Sequence, residues 1–253
     1  MTLRTVAATR YVTPLREGGS LPAIVEGDDD GLYVLKFRGA GQGPKALVAE
    51  VIAGEIARTL GLRVPEIVLL ELDADMARTE PDPEIQELIR ASAGLNVGLD
   101  YLPGSIMFDP VAEAPDAALA SRIVWFDAYV TNIDRTPKNV NLLTWHRSLW
   151  LIDHGAALYF HHAGGDWRAR VGDRFAQVKQ HVLLPFASAI AEADAELAPR
   201  LAQSALRAIV DLVPEAWLEG GLARGDYVEY LVRRLDAPRA FAEEAIRARA
   251  LHV

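Results

Sequence analysis

The chain has 253 residues, 51% hydrophobic and 24% charged, a globular composition long enough for a substantial core in one domain or two lobes. A formal net charge of −9 argues against direct nucleic-acid binding, since phosphates call for a basic face, and the lack of cysteine excludes a disulfide framework and a thiolate zinc site. No run approaches the roughly 20 apolar residues of a membrane span, and residues 1–13 are too polar and interrupted for a signal peptide, so the expectation is a soluble cytoplasmic protein.

Residues 5–13 read as an edge strand. Apolar runs at 22–26 and 32–38 flank Gly27-Asp28-Asp29-Asp30-Gly31, the composition of a hairpin with a solvated acidic tip. Before that hairpin stand Gly18, Gly19 and Ser20. Glycines let backbone N–H groups approach a phosphate closely, although the same tripeptide also makes an ordinary flexible turn. In the second strand, alternation puts Val34 and Lys36 on one face and Leu35 and Phe37 on the other. Lys36 is then either an edge residue or a phosphate ligand. Residues 38–43 are again glycine-rich but run into Pro44-Lys45-Ala46, which does not fit G-x-x-x-x-G-K-[ST].

Pro44 suits the first turn of a helix, and Leu47, Val48, Val51, Ile52, Ile56 and Leu60 make its apolar stripe up to Gly61. Two carboxylates compete for attention on this helix. Glu55 falls inside the stripe, whereas Glu50 falls near the opposite side. Residues 64–72 read as a strand, 73–92 as an acidic, proline-interrupted insertion with a short helix, and 95–102 as a strand and connector before Pro103-Gly104-Ser105. A helix follows over 117–131, with Asp127 a surface or hydrogen-bonding residue on it.

The stretch Asp127 to Gly155 organises the rest. Its helix leads into Asn132-Ile133-Asp134-Arg135-Thr136-Pro137-Lys138-Asn139, then an apolar strand, a turn, a second strand and Ile152-Asp153-His154-Gly155. Asp134 and Asn139 enclose four residues. A loop of that length lets the Asp face a reacting hydroxyl while the Asn turns back to a metal, and the hairpin returns Asp153 to the same end. Asn and Asp form an oxygen-only pair suited to Mg²⁺ held partly by phosphates, and phosphoryl transfer needs such a set. Alone, Asp, Asn and Pro are ordinary turn residues; the combination with the two strands and the terminal Asp-His-Gly is more specific. His161 and His162 read as neighbours on opposite faces of a strand, not as a zinc site. Residues 163–180 are irregular and basic. Beyond them the pattern is helical, over about 189–212, 222–234 and 238–250.

NIDRTPKN together with LIDHG resembles the catalytic and metal-binding loops of the HipA-like kinases, which share a fold with protein kinases and phosphatidylinositol 3/4-kinases. The resemblance implies an α+β, two-lobed protein-kinase-like fold, with a β-rich N-lobe over about 1–103 and a mostly helical C-lobe over about 104–253. ATP and Mg²⁺ would lie between them. By the same resemblance, Lys36 contacts the α- and β-phosphates, and Glu50 stands where the family places its helix glutamate. Gly18, Gly19 and Ser20 cover the nucleotide, and Asp100, Tyr101 and Leu102 form the hinge that holds adenine. Asp134 orients or deprotonates the acceptor hydroxyl, Arg135 and Lys138 steady the γ-phosphate or the acceptor, and Asn139 and Asp153 bind the metal. The usual acceptor in the group is Ser/Thr of a protein. Asp134-Arg135 departs from the Asp-Ala-His character of HipA itself toward the lipid-kinase branch, which keeps a lipid or small metabolite open as acceptor. A kinase scaffold that binds nucleotide without catalysis, and a toxin-like protein acting with an antitoxin-type partner, are also compatible with these motifs.

Overall fold

The computed structural model describes residues 2–15, 21–163 and 166–251. Gly18, Gly19 and Ser20 lie outside the described residues. Five N-terminal strands close on themselves: β1 (Thr5–Pro14), β2 (Ala23–Gly27), β3 (Leu32–Lys36), β4 (Ile67–Leu72) and β5 (Gly94–Asp100), in the order β1-β2-β3-β5-β4. The strand expected as an edge at 5–13 instead closes the barrel: Thr5, Val6 and Ala7 pair in parallel with Leu69, Leu70 and Glu71, and Ala8 to Pro14 pair antiparallel with β2. Sequence pattern marks where a strand is but not which distant strand will pair with it.

Strand alternation fills the barrel. Tyr33, Leu35 and Phe37 point inward with Val6, Val25, Val68 and Leu70, and Ile85 and Ile89 of helix α2 (Pro83–Ala91) close one end of this cluster. Val34 and Lys36 face the other way, as the alternation predicts, and Val34 packs against the second and larger core. The acidic tip between β2 and β3 is not merely solvated. Asp29 accepts hydrogen bonds from Arg4 at 2.8 Å and Tyr33 at 2.7 Å, and the Arg4 guanidinium first, then Tyr33, holds its carboxyl down at about 2.

Helix α1 (Pro44–Thr59) begins with Pro44 in its first turn and ends before Gly61, whose φ of 79° is the left-handed conformation glycine supplies without steric cost. Every residue from Leu47 to Ala57 is buried. Gly54 lets β4 pack close: a Cβ there would stand 2.5 Å from Ile67 Cδ1, and the isoleucine end would have to shift. The larger core runs from α1 through β4 and β5 into α3 (Ala117–Tyr129), α4 (Ile190–Leu197), α5 (Gln203–Val210), α6 (Arg224–Arg234) and α7 (Ala240–Ala250). The expected long helix over 189–212 is two helices, divided at Ala198-Pro199-Arg200 because proline supplies no N–H to continue the ladder. Three short strands, β6 (Ile106–Met107), β7 (Leu142–Trp145) and β8 (Ser148–Leu151), form a second antiparallel sheet beside α3. The fold is α+β and protein-kinase-like, with a β-rich N-terminal part and a mostly helical C-terminal part.

Candidate functional site

Lys36 ends β3 on the face turned away from the barrel interior. Its Nζ stands 2.8 Å from Asp153 Oδ1, and the lysine side chain is only 12% exposed. Burial by itself would push this ammonium down, but the carboxylates of Asp153, Glu50 and Asp134 outweigh that and hold it above the ordinary lysine value. A buried lysine that stays charged is a lysine surrounded by carboxylates.

Those three carboxylates come from separate parts of the chain. Asp134 and Asp153 are brought together by the β7–β8 hairpin, in which Leu142 pairs with Leu151. The loop ahead of it is tightened by reciprocal backbone hydrogen bonds between Thr136 and Asn139, both 3.0 Å. Asn139 Nδ2 donates to Asp134 Oδ2 at 2.6 Å, and Asn141 Nδ2 reaches the same oxygen at 3.4 Å. Half-burial first and the nearby Asp153 charge second push the Asp134 carboxyl up, against these two amide donors. Thr131, Asn141 and Asp153 all have positive φ, at 52°, 49° and 56°. For the β-branched Thr131 this is a true outlier, and left-handed residues of this kind gather where a loop is bent to aim a side chain.

Glu50 settles on a partner that the sequence did not suggest. It is 1% exposed, and its Oε2 accepts the backbone N–H of His154 at 2.9 Å while Oε1 lies 3.2 Å from His154 Nδ1. Burial would raise this carboxyl; the His154 hydrogen bonds and the Lys36 charge overcome it and hold the group below the ordinary value. Glu50 thus faces Lys36 electrostatically while it fastens the residue after Asp153. Glu55 is also buried, yet it pairs with Arg58 at 3.3 Å and sits toward Arg4 and Glu66, away from the lysine.

Arg135 differs from expectation. It is 1% exposed, and its guanidinium is directed inward, with Nε 2.6 Å from Asp127 Oδ2 and Nη1 donating to the carbonyl of Asn141. A guanidinium committed to a buried carboxylate has no face left for a γ-phosphate or an acceptor. The adjacent Lys138 is exposed on the loop surface. Among the hinge residues, the N–H groups of Asp100 and Tyr101 already donate to the carbonyls of Glu66 and Leu32, both at 2.9 Å. The Asp100 carboxyl is pushed up by burial and then by Glu66, which places its side chain with the Arg4 charge cluster. Leu102 is buried, and its carbonyl accepts Ser105 N–H at 3.1 Å. Trp145 Nε1 donates to the Pro103 carbonyl at 3.0 Å, so β7 braces the connector.

The two adjacent histidines do not point to opposite faces, because Tyr159–His161 is a 3₁₀ turn rather than a strand. Their Nε2 atoms meet at 2.8 Å, and His161 Nδ1 lies 3.0 Å from Tyr227 Oη. Burial pushes His161 down to about 3, so it stays neutral.

The donor set fits a hard divalent cation. Asn139 spends its amide N–H on Asp134, which leaves its carbonyl oxygen as an acceptor, and Asp153 contacts Lys36 through only one of its oxygens. Among the described residues no cluster of three or more His, Cys, Asp or Glu forms a self-contained metal cage. Mg²⁺ does not need one, since it is commonly held by one or two carboxylates, waters and substrate phosphates. Asn141 and His154 were legible only in part: the N-V-N spacing sets Asn141 on the same side as Asn139, whereas nothing local marks His154 as a partner of Glu50.

The fold has solved relatives. A Helicobacter pylori proinflammatory kinase, CtkA, is 13% identical with a TM-score of 0.58, covering 98% of this chain and 99% of that one. The Golgi casein kinase with Mn/ADP bound is 11% identical with a TM-score of 0.55, covering 98% of this chain and 73% of that one. No curated protein matches. The HipA-like kinase family model matches residues 9–236, a span that contains Lys36, Glu50, Asp134, Asn139 and Asp153. With a lysine strand, a buried helix glutamate and two loops of Asp and Asn converging within that span, the chain belongs to the HipA-like kinases.

Proposed function

We propose that this kinase transfers the γ-phosphoryl group of ATP, with Mg²⁺, to a Ser or Thr hydroxyl of a protein. The observation that carries the proposal is the convergence of Lys36, Asp134 and Asp153, with Lys36 Nζ 2.8 Å from Asp153 and charged in spite of its burial. Lys36 holds the phosphates. Asp153 and the free carbonyl oxygen of Asn139 hold the cation, which neutralises charge on the phosphates when bound. Asp134, its carboxyl pushed up by burial and by Asp153, takes or orients the acceptor proton, since a raised carboxyl is a better base. Glu50 fixes the Asp153 loop through His154. Lys138, exposed beside Asp134, steadies the γ-phosphate or the acceptor. The purine lies between an N-lobe over about 1–103 and a C-lobe over about 104–253, at the connector of Asp100, Tyr101 and Leu102, where the backbone N–H groups of Asp100 and Tyr101 are already engaged. Nucleotide and divalent metal in the similar Golgi casein kinase support this use of the fold.

The case for a lipid or metabolite acceptor rested on the Asp134-Arg135 pair. Arg135 is turned inward to Asp127, so its side chain offers no contact to a protein or a lipid acceptor. The test is calorimetry of ATP with and without Mg²⁺, on wild type and Asp153→Ala, followed by phosphate incorporation into supplied protein by wild type and Asp134→Asn. Mg²⁺-dependent binding that weakens in Asp153→Ala, and transfer to Ser/Thr that disappears in Asp134→Asn while binding persists, are expected. Binding indifferent to Mg²⁺ and to Asp153, or an Asp134→Asn variant near wild-type turnover, would overturn the assignment.

A further inference from the structure

Asp127 is fully buried in the last turn of α3, and three groups converge on it. Arg135 Nε stands 2.6 Å and His181 Nε2 stands 2.9 Å from its Oδ2, while Asn132 Nδ2 donates to Oδ1 at 2.9 Å. Arg135 Nη2 also approaches Oδ1 at 3.5 Å. Each partner holds part of the loop that carries Asp134. Asn132 Oδ1 accepts the backbone N–H of Asp134 itself at 3.2 Å. Arg135 Nη1 donates to the carbonyls of Asn141 and Ile152, the residues that enter β7 and precede Asp153. The carbonyl of Arg135 accepts Val182 N–H at 3.1 Å, which ties the loop to the residue after His181.

The protonation pattern of His181 follows from its neighbours. Leu183 N–H donates to its Nδ1 at 3.0 Å, so Nδ1 carries the lone pair and Nε2 carries the proton. His181 is therefore a directed donor to Asp127. Burial would raise the Asp127 carboxyl, but Arg135 and His181 hold it far below the ordinary range. A carboxylate satisfied on both oxygens by buried donors has one low-energy arrangement, and a loop hung from it inherits that arrangement.

We propose that Asp127 and His181 are positioning residues for the phosphoryl transfer, with His181 the outer leg of a buried Asp127–Arg135–Asn132 hub that fixes where Asp134 and Asp153 point. Neither touches the reacting groups. The effect on turnover rests on the role proposed for Asp134; the effect on loop order does not.

The test compares wild type with His181→Phe, which keeps a flat ring but removes the donor, and His181→Gln, whose amide restores a donor. Hydrogen exchange of the 132–141 amides, ATP turnover with water or added protein as acceptor, and calorimetric Mg²⁺–ATP affinity are measured together. In His181→Phe the loop amides exchange faster, turnover falls by about 10- to 100-fold, and nucleotide affinity stays within about twofold, since a small misplacement of the reacting geometry costs rate rather than binding. His181→Gln recovers most of both losses. Unchanged loop exchange and turnover in His181→Phe would overturn the proposal. So would a uniform rise in exchange across the chain with nucleotide affinity lost in step, which marks a role in stability alone. If wild type turns over no ATP, the function proposed for Asp134 fails, and loop exchange alone decides whether His181 orders the loop.

Discussion

Asp127 shows how a residue's importance can be hidden by its type. A carboxylate late in a helix usually faces water, and in isolation the sequence offers only that or a local hydrogen bond. The structure places it at 0% exposure with Arg135 and His181 on one oxygen. Breaking such a pair leaves the Arg135 charge buried and uncompensated, so Asp127→Asn should cost about 3–5 kcal/mol in urea unfolding. The pH dependence has a definite sign. The folded carboxyl is held below its unfolded value, so its contribution is present above the unfolded carboxylate value of about 3.9 and is lost as pH falls below it. The stability gap between wild type and Asp127→Asn should therefore narrow on going from pH 7 to pH 3. A gap that widens toward pH 3 would show that Asp127 is protonated in the fold, and a constant gap would show that the fold does not shift its carboxyl. Lys36, Asp134, Asn139 and Asp153 were legible because each sits at a fixed spacing from a strand end or from another member of the set. His181 was not: it lies in no motif, and only the tertiary fold brings it to Asp127.

At the scale of elements, α1 explains why the choice between Glu50 and Glu55 stayed open. A helical wheel distinguishes a wet face from a dry one, but α1 is dry all round from Leu47 to Ala57. Its burial comes from the barrel on one side and the C-terminal helices on the other, and both glutamates are enclosed. Partners decide between them. Glu50 holds His154 by two contacts and adds charge beside Lys36, whereas Glu55 pairs with Arg58. Glu50→Gln should thus lower turnover by at least about tenfold, as loss of a buried, charge-assisted hydrogen bond removes roughly 1.5–3 kcal/mol. Glu55→Gln should leave turnover within about twofold. Steady-state kinetics of the two variants check this, and the opposite ranking would assign the lysine's helix partner to Glu55. The barrel illustrates the same limit. Each strand was visible by alternation and turn residues, but the parallel β1–β4 closure depends on residues more than sixty positions apart.

Across the whole molecule, the barrel interior is one core, and α1 with the helices after β6 is the other. The carboxylates and Lys36 lie where the two meet. A nucleotide bound there contacts both parts, and ligand that binds only the folded state adds stability by mass action. Mg²⁺–ATP at 100 times its dissociation constant should stabilise wild type by about 2.7 kcal/mol. The same addition should shift Asp153→Ala far less. Thermal melts with and without the metal–nucleotide pair test this, and equal shifts in both proteins would place the nucleotide elsewhere. No helix among the described residues is long and apolar enough to cross a membrane.

The sequence by itself determined the five N-terminal strands, the helix after Pro44, the α+β protein-kinase-like class, and the family that the two loops resemble. Those features rest on local periodicity, turn chemistry and short spacings, which are properties of neighbouring residues. Tertiary structure alone decided that β1 closes a barrel, that Glu50 fastens His154, that Arg135 turns inward to Asp127, and that His181 joins them. Each of these depends on which buried polar group finds its partner across the fold. A buried charge must be paired wherever its partner happens to lie along the chain, and no local pattern records that distance.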